Sequence, residues 1–448
     1  MNNKRELILD GKLNKTILMI AIPLMLNGFV YASYNYIDTL FVAQIGSLEL
    51  ASVALIGPLY NVLVAIGAGI TISGTTLIGQ SVGKNDHHKI QSLVLHLLMI
   101  ASLLAIVFTG IGLIFPESIL RLASATEGII DSGMTYFKVL LISVPFMLMN
   151  AVFLSYKGGF GETAAIMKYQ VASMIVKVAF NYIFIIVLNK GISYLAIATL
   201  IGQILVSFIA FYDLRHHKNK SKVIRNFSYN QTTMKEILRV SLPVIIERSS
   251  LSYSFVMVNS QVLKYGETVL AAYGITNRIN SLFFRTIGGL GSGLATIVSQ
   301  NYGNKNQARI HKVFRRGMII GLIFSVVFAG IILFGQSRFA GSFAHEDLLL
   351  KGHVMNAVSV YSISIIPWCV FQVIMGMFTG AGATKYNLYI TIARLYVFRL
   401  PSIMIMTQFK DLGAYSIWVA MLLSNLITAL YAIILYKRHH ATLFQFNR

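Results

Sequence analysis

Apolar residues run through this chain in long blocks, punctuated by short polar segments. Twelve blocks begin near positions 16, 50, 91, 132, 165, 192, 235, 268, 313, 354, 386 and 413. Each covers roughly 20 to 30 residues, enough to cross the hydrocarbon of a bilayer as a helix. In lipid, only helices satisfy their own backbone polar groups at that length. The pattern therefore predicts an all-α integral membrane protein with twelve transmembrane helices, numbered here as spans 1 to 12. The first block, from Thr16 to Phe41, is too long for the apolar region of a signal peptide and lacks a small-residue cleavage pattern, so it reads as span 1.

The pattern also repeats. Pro23 to Ile90 is echoed without a gap 220 positions later: Pro23 answers to Pro243, Gly46 to Gly266, Gly69 to Gly289, Thr76 to Thr296, Gln80 to Gln300 and Gly83 to Gly303. The loop Gly159-Phe160-Gly161-Glu162-Thr163 returns as Gly380-Ala381-Gly382-Ala383-Thr384. Two pseudo-symmetric six-helix bundles follow: an N-terminal lobe at 1–213, a cytoplasmic linker at 214–234, and a C-terminal lobe at 235–448 that ends in a short cytoplasmic tail. Duplicated bundles of this kind usually enclose a site and rock around it, the plan of a secondary transporter. That plan disfavours a channel.

Composition agrees, with 56% hydrophobic and 12% charged residues against about 25% charged in a soluble globule. The formal net charge of +21 invites a nucleic-acid reading, but the placement of the cations opposes it. With a cytoplasmic N-terminus, inner segments hold 24 of the 37 Lys and Arg and outer loops hold 7. That is the positive-inside bias, and it predicts a multi-pass protein with both termini cytoplasmic, in the plasma membrane, or the inner membrane of a Gram-negative cell. Cys369 is the lone cysteine and excludes an intramolecular disulfide.

Few ionisable residues fall within the spans: Asp38, Lys177, Glu247, Arg248, Arg278, Arg285, Arg394 and Arg399. Such groups are costly in hydrocarbon and are candidates for function, or for snorkelling and helix-tying cations. Asn27, Tyr31, Tyr34 and Asp38 recur at steps of four, three and four, which aligns them on one face of span 1. Asp38 lies roughly 33 Å from Thr16 along the helix. A carboxylate out of water, with a cation near it, can take up and release a proton as its surroundings change. The plainer alternative is an acid that only pins span 1 to a neighbour. Glu247 is the second candidate acid, one turn after Pro243, with Ser250, Ser254 and Gln261 close to its face. The two acids are not repeat-equivalent, because Asp38 answers to Val258 and Glu247 to Asn27.

Three histidine pairs, His87-His88, His216-His217 and His439-His440, keep an integral membrane enzyme in view. They sit in basic segments without carboxylates at metal-ligand spacing, so neither a metal site nor an enzyme is expected.

At Pro23, Ile37-Asp38-Thr39-Leu40-Phe41-Val42-Ala43-Gln44-Ile45-Gly46, Gly79-Gln80-Ser81-Val82-Gly83, Ile275-Thr276-Asn277-Arg278-Ile279, Gln300-Asn301-Tyr302-Gly303 and the two GxGxT loops, the sequence resembles the multidrug and toxic compound extrusion (MATE) transporters. The resemblance covers essentially the whole chain. It implies two six-helix bundles around a central cavity and export of organic compounds, drugs or toxic metabolites, by antiport with protons or sodium. Asp38 matches the family's span 1 acid, which binds the coupling cation, and Asn181 and Thr199 match polar residues around it. Where many members carry an Asn one turn before Asn181, this chain has Lys177, on the same face at i and i+4. A lysine there competes for the place of a sodium ion, so protons are favoured over sodium, with Asp38 and Lys177 pairing in one state and parting when Asp38 is protonated. No acidic residue occurs between Asp347 and Asp411. A span 10 carboxylate found in one branch of the family is therefore missing, and Glu247 stands alone in that half.

For the substrate, an adaptable cavity could be lined by Tyr31, Tyr34, Phe255, Met257, Arg278, Phe283 and Met375. Family habit implies large, apolar, often cationic compounds. Arg278, Arg285, Arg394 and Arg399 leave open an anionic or lipid-linked substrate, as handled by related flippases. No cofactor and no nucleic-acid partner is expected, and the chain is expected to act as a monomer. Pro23 and Gly28 are expected to weaken the ladder of span 1. The glycines 67, 69 and 74 of span 2 and 288, 289, 291 and 293 of span 8 are expected to let backbones approach closely.

Overall fold

The computed structural model describes residues 2–216, 228–344 and 347–446. Of the linker expected at 214–234, residues 217–227 lie outside the described residues, and with them His217 of the second histidine pair.

The described chain is almost entirely helical. The N-terminal half contains α1 (Asn2–Asp10), α2 (Leu13–Ala43), α3 (Ser47–Lys84), α4 (His87–Ile114), α5 (Pro116–Leu122), α6 (Glu127–Gly159), α7 (Thr163–Asn181) and α8 (Ser193–His216). The C-terminal half contains α9 (Gln231–Leu263), α10 (Glu267–Gly303), α11 (Gln307–Ala344), α12 (Leu348–Tyr361), α13 (Ile365–Gly380), α14 (Lys385–Ile392), α15 (Leu400–Met406) and α16 (Tyr415–Phe444). Among the described residues, eleven helical segments are long and apolar enough to cross a membrane. The twelfth expected span is α9, which is 33 residues long but carries Lys235, Glu236, Arg239, Glu247 and Arg248.

The 220-residue repeat is written in the backbone as well as in the sequence. α3 closes on Asn85 (φ 59°), and α10 is followed, 220 positions on, by Lys305 (φ 55°). Next to them, the Asp86 carboxylate accepts from the Lys89 backbone N–H, and Asn306 Oδ1 accepts from that of Arg309. The same N-cap thus starts α4 and α11. Gly161 and Gly382, in the two GxGxT loops, share a φ of 75°, a left-handed turn in which a side chain is strained.

The chain forms two compact units, and each takes in part of the other half's first helix. Unit 1 comprises Met1–Arg5 and Ser33–Ile245; unit 2 comprises Glu6–Ala32 and Ile246–Arg448. The lobe boundaries expected from the sequence, 1–213 and 235–448, keep each first helix whole. In the structure α2 changes unit after Ala32 and α9 after Ile245, and α2 remains one helix through Pro23 and Gly28.

Within unit 2, Ile17, Ile20, Ala21 and Met25 of α2 are buried in the apolar core with α10, α11, α13 and α16. Within unit 1, Ile237 of α9 is buried among α3, α4 and α6, with Ile245 packed against them. Glycines make both arrangements possible. A Cβ on Gly289 would lie 2.4 Å from the Leu24 carbonyl oxygen, and one on Gly69 would lie 2.6 Å from Ile245 and 3.2 Å from the Ser241 carbonyl oxygen. Leu24 and Met25 are the repeat counterparts of Val244 and Ile245, so the two helix crossings are the same crossing made twice. A Cβ added to Gly291 or Gly293 would likewise lie under 3.0 Å from backbone, and one on Gly74 would run into the Ser155 side chain. The expectation does not hold at Gly67, which is at ordinary contact distance from Leu148, or at Gly288, which faces open space.

Cations fasten the same segments. Lys89 Nζ lies 2.7 Å from Glu236 and donates to Thr233 at the start of α9. Its counterpart Arg309 donates to the carbonyls of Ile8 and Gly11, at and just beyond the C-terminal end of α1, where orphan carbonyls attract a cation.

Lys157, counted in the sequence among the cations of the inner segments, is 2% exposed, with Nζ 2.7 Å from Glu162 and 2.8 Å from Asp213. Breaking a buried pair strands a charge.

Gly289→Ala is expected to destabilise the purified protein by about 2–3 kcal/mol, because backbone cannot retreat from the added methyl. Gly288→Ala, in the adjoining turn, is expected to be neutral or slightly stabilising. Thermal unfolding in detergent reads the difference, and equal melting of the two variants would contradict the crossing.

Candidate functional site

In unit 1 the polar residues converge at the upper part of α2. Tyr34 lies one turn before Asp38, and its hydroxyl donates to Asp38 Oδ1 at 2.7 Å. Asn181 Nδ2, from the last residue of α7, donates to the same oxygen at 3.0 Å. Asn181 is fully buried, and its Oδ1 has no hydrogen-bond partner among the described residues. An orphaned buried acceptor beside a carboxylate is a place where a proton donor or a small cation would be satisfied.

Lys177 lies one turn below Asn181 on the same face of α7, as its spacing predicts. It makes no ion pair with Asp38 within 4.0 Å among the described residues. Instead its Nζ stands 4.4 Å from the centre of the Tyr34 ring, a cation–π contact. Tyr34 therefore joins the two, with its ring under the ammonium and its hydroxyl on the carboxylate. Thr199 is not brought to the carboxyl group by a direct hydrogen bond, since its hydroxyl donates to Leu195 in its own helix at 3.0 Å.

Two features of this site are missing from the sequence reading. Tyr136 of α6 lies within electrostatic reach of Asp38. The chain after Asn181 also widens into a π-helical turn, Tyr182–Val187, a form common at functional positions because it frees backbone groups and re-aims side chains. Above them Val42, Ile185, Ile192 and Leu195 form a small separate apolar cluster with Tyr136 packed against it.

Unit 2 gathers the other candidates around α9 and α14. Glu247 is 8% exposed and lies close to Thr391 and the guanidinium of Arg394. Arg394 stacks over Trp368 at 4.9 Å and Phe371 at 5.7 Å, and Trp368 stacks on Phe284 at 4.7 Å. Arg399 donates towards Ser424 and Asn425 of α16. The two arginines sit five residues apart in a second π-helical segment, Ala393–Arg399, so each half places such a segment at its polar cluster. Arg285 lies 4.9 Å from the ring of Tyr31.

The residues expected to line a substrate cavity are scattered. In unit 2, Tyr31, Phe255 and Arg278 are exposed and Met257 is half-buried. Phe283 is buried against Phe328 in the apolar core, and Met375 packs against that core. Tyr34, in unit 1, belongs to the Asp38 cluster. Among the described residues no group of three or more His, Cys, Asp or Glu could hold a metal. His87 and His88 are exposed, and His439 pairs with Tyr386.

The MatE family model matches residues 23–183 and again 243–405. The chain belongs to the MatE family. The two matches begin 220 residues apart, at Pro23 and Pro243, so the repeat seen in this MatE protein is the family's own unit. Among curated relatives it is 23% identical to the probable multidrug resistance protein YoeA of Bacillus subtilis over 411 residues, covering 90% of this chain and 88% of that one. Among solved structures, a crystal structure of MATE in complex with MaL6 superposes with a TM-score of 0.93 at 23% identity, covering 98% of each chain. The outward-facing conformation of a multidrug resistance MATE family transporter of the MOP superfamily also gives 0.93 at 23% identity, covering 97% of this chain and 98% of that one. As a MatE protein the chain is a multi-pass membrane transporter and not an enzyme.

Tyr34→Phe keeps the ring under Lys177 and removes one hydrogen bond to the carboxyl group, an expected loss of about 1–2 kcal/mol. Tyr34→Leu also removes the cation–π contact and is expected to cost about 1 kcal/mol more. Thermal unfolding of the two variants side by side reads this increment, and equal losses would mean that the ammonium does not rest on the ring.

Proposed function

We propose that this transporter is a proton-coupled antiporter that exports organic compounds from the cell by alternating access. The observation that carries the reading is the set of groups at Asp38: two neutral donors from Tyr34 and Asn181, and the Lys177 ammonium held one aromatic ring away. A proton arriving at Asp38 Oδ2 leaves Oδ1 a weaker, neutral acceptor for Tyr34 and Asn181 and removes the charge that attracts Lys177. Local geometry thus has two arrangements, one for each protonation state, and a tethered ammonium stands where a sodium ion would otherwise be needed. One proton entering down 100 mV supplies about 2.3 kcal/mol, and each pH unit about 1.4 kcal/mol more. Coupling requires that proton and substrate bias the same two-state element in opposite directions. On this reading that element is α2, whose residues up to Ala32 belong to unit 2 and whose Asp38 belongs to unit 1.

The names of relatives such as the probable multidrug resistance protein YoeA support drugs or toxic metabolites as substrates. The positive-inside bias supports both termini being cytoplasmic, and on this reading the chain works in the plasma membrane as a monomer of two lobes. A second reading, an anionic or lipid-linked substrate, is favoured by the arginines of unit 2, where Arg285 lies near Arg248, Arg394 near Arg399, and Glu247 near Arg248 and Arg394.

Purified protein in proteoliposomes is expected to release protons when an exported cation such as ethidium is added. Asp38→Asn is expected to lower that release at least about tenfold, and a sodium gradient alone is expected to drive no transport. Lys177→Met removes the cation beside the carboxyl group, and the pH dependence of transport is expected to change. An unchanged profile would sink the role of Lys177, and full activity of Asp38→Asn would sink the coupling site.

A further inference from the structure

Unit 2 carries a groove that the transport reading does not use. It lies between α11, α13 and α16 and has a volume of about 520 Å³. Phe314, Met318 and Leu322 of α11 form one wall at helical spacing, with Ile374 of α13 and Ile433 of α16 opposite. One end is different: His311, in the first turn of α11, meets Lys437 and His440, in the last turns of α16. His440 Nε2 and His311 Nδ1 are 3.1 Å apart, so the two imidazoles share a hydrogen bond across the mouth.

Charge decides what can sit there. None of the three helices contains an Asp or Glu, whereas the first turns of α11 add Lys312, Arg315 and Arg316, and the end of α16 adds Arg438 and His439. Lys312, Arg315, Arg316, Lys437 and Arg438 are exposed. The mouth therefore gathers cations from α11 and α16, neither of which carries an acid of its own, and opens on an apolar trough. The repeat does not explain it, because the counterpart of His311 is Gln91. Tyr436 adds a donor: it lines the groove, and its buried hydroxyl has no hydrogen-bond partner among the described residues. An amphiphile with one anionic end and a hydrocarbon body matches both parts, and a basic pocket between transmembrane helices on the cytoplasmic side is where anionic headgroups are held.

We propose that this groove binds an anionic phospholipid of the cytoplasmic leaflet, an acyl chain lying along α11 and α16 and the phosphate at His311, Lys437 and His440. Full-length protein carrying bound lipid into native mass spectrometry tests this directly, after equilibration with equal amounts of phosphatidylglycerol and phosphatidylcholine. Retention of phosphatidylglycerol over phosphatidylcholine by at least about fivefold is expected, the worth of roughly one cation at a membrane surface. Lys437→Gln, at an exposed position, is expected to weaken that preference, and His311→Gln with His440→Gln and Lys437→Gln to abolish it. Ile433→Trp, which fills the trough, is expected to lower the retention of both lipids in a protein that still melts cooperatively. Equal retention of the two lipids by the parent, detergent in place of either, an undiminished preference in the triple variant, or unchanged retention in Ile433→Trp would each overturn the proposal. The readout is binding alone, so it stands or falls apart from proton coupling.

Discussion

Backbone meeting backbone at glycine is the constraint on which this architecture depends. Lipid tails are as apolar as the helices themselves, so association inside a bilayer comes from close packing, which only small residues permit. Gly289 lets α10 reach the carbonyl of Leu24, and Gly69 lets α3 reach α9 near Ile245. Because the two contacts are repeat counterparts, the first part of each half's opening helix is held in the unit built mostly from the other half. Lys89 and Arg309, counterparts as well, tie down the same segments at their ends.

Ionisable groups inside the units are handled in two ways. At Asp38 the charge is met by neutral donors and by a cation set on an aromatic ring. At Arg394 the cation is covered by Trp368 and Phe371 with an acid nearby. Both solutions use aromatic faces, which stabilise an ammonium or guanidinium without a full counter-charge. Both also adjoin a π-helical segment, Tyr182–Val187 in one half and Ala393–Arg399 in the other.

The halves share a scaffold and differ in its contents. Lys157 in unit 1 is buried between Glu162 and Asp213. At the 221-residue spacing of the two GxGxT loops, Phe378 and Ala383 stand in the second half, and Phe378 is fully buried among Tyr386 and Tyr436. One half has an ion triad where the other has aromatic rings in tilted and edge-on contact, so duplication of the fold did not bring duplication of the chemistry.

Length and hydropathy sufficed to determine the helices, their order and the repeat, because in a bilayer a long apolar block has one stable conformation. Asp38 and Lys177 were legible as rare ionisable residues in an apolar background, Asp38 on a polar stripe at steps of three and four, whereas Asn181 was singled out by the family resemblance. Tertiary structure decided what one-dimensional spacing cannot carry. It placed the ring of Tyr34 between Lys177 and Asp38, left Thr199 bonded to its own helix, and buried Lys157, counted in the sequence among the cations of the inner segments. It also moved α2 and α9 across the expected lobe boundaries, because unit membership is settled by which helix surfaces fit closely and not by which residues are neighbours along the chain.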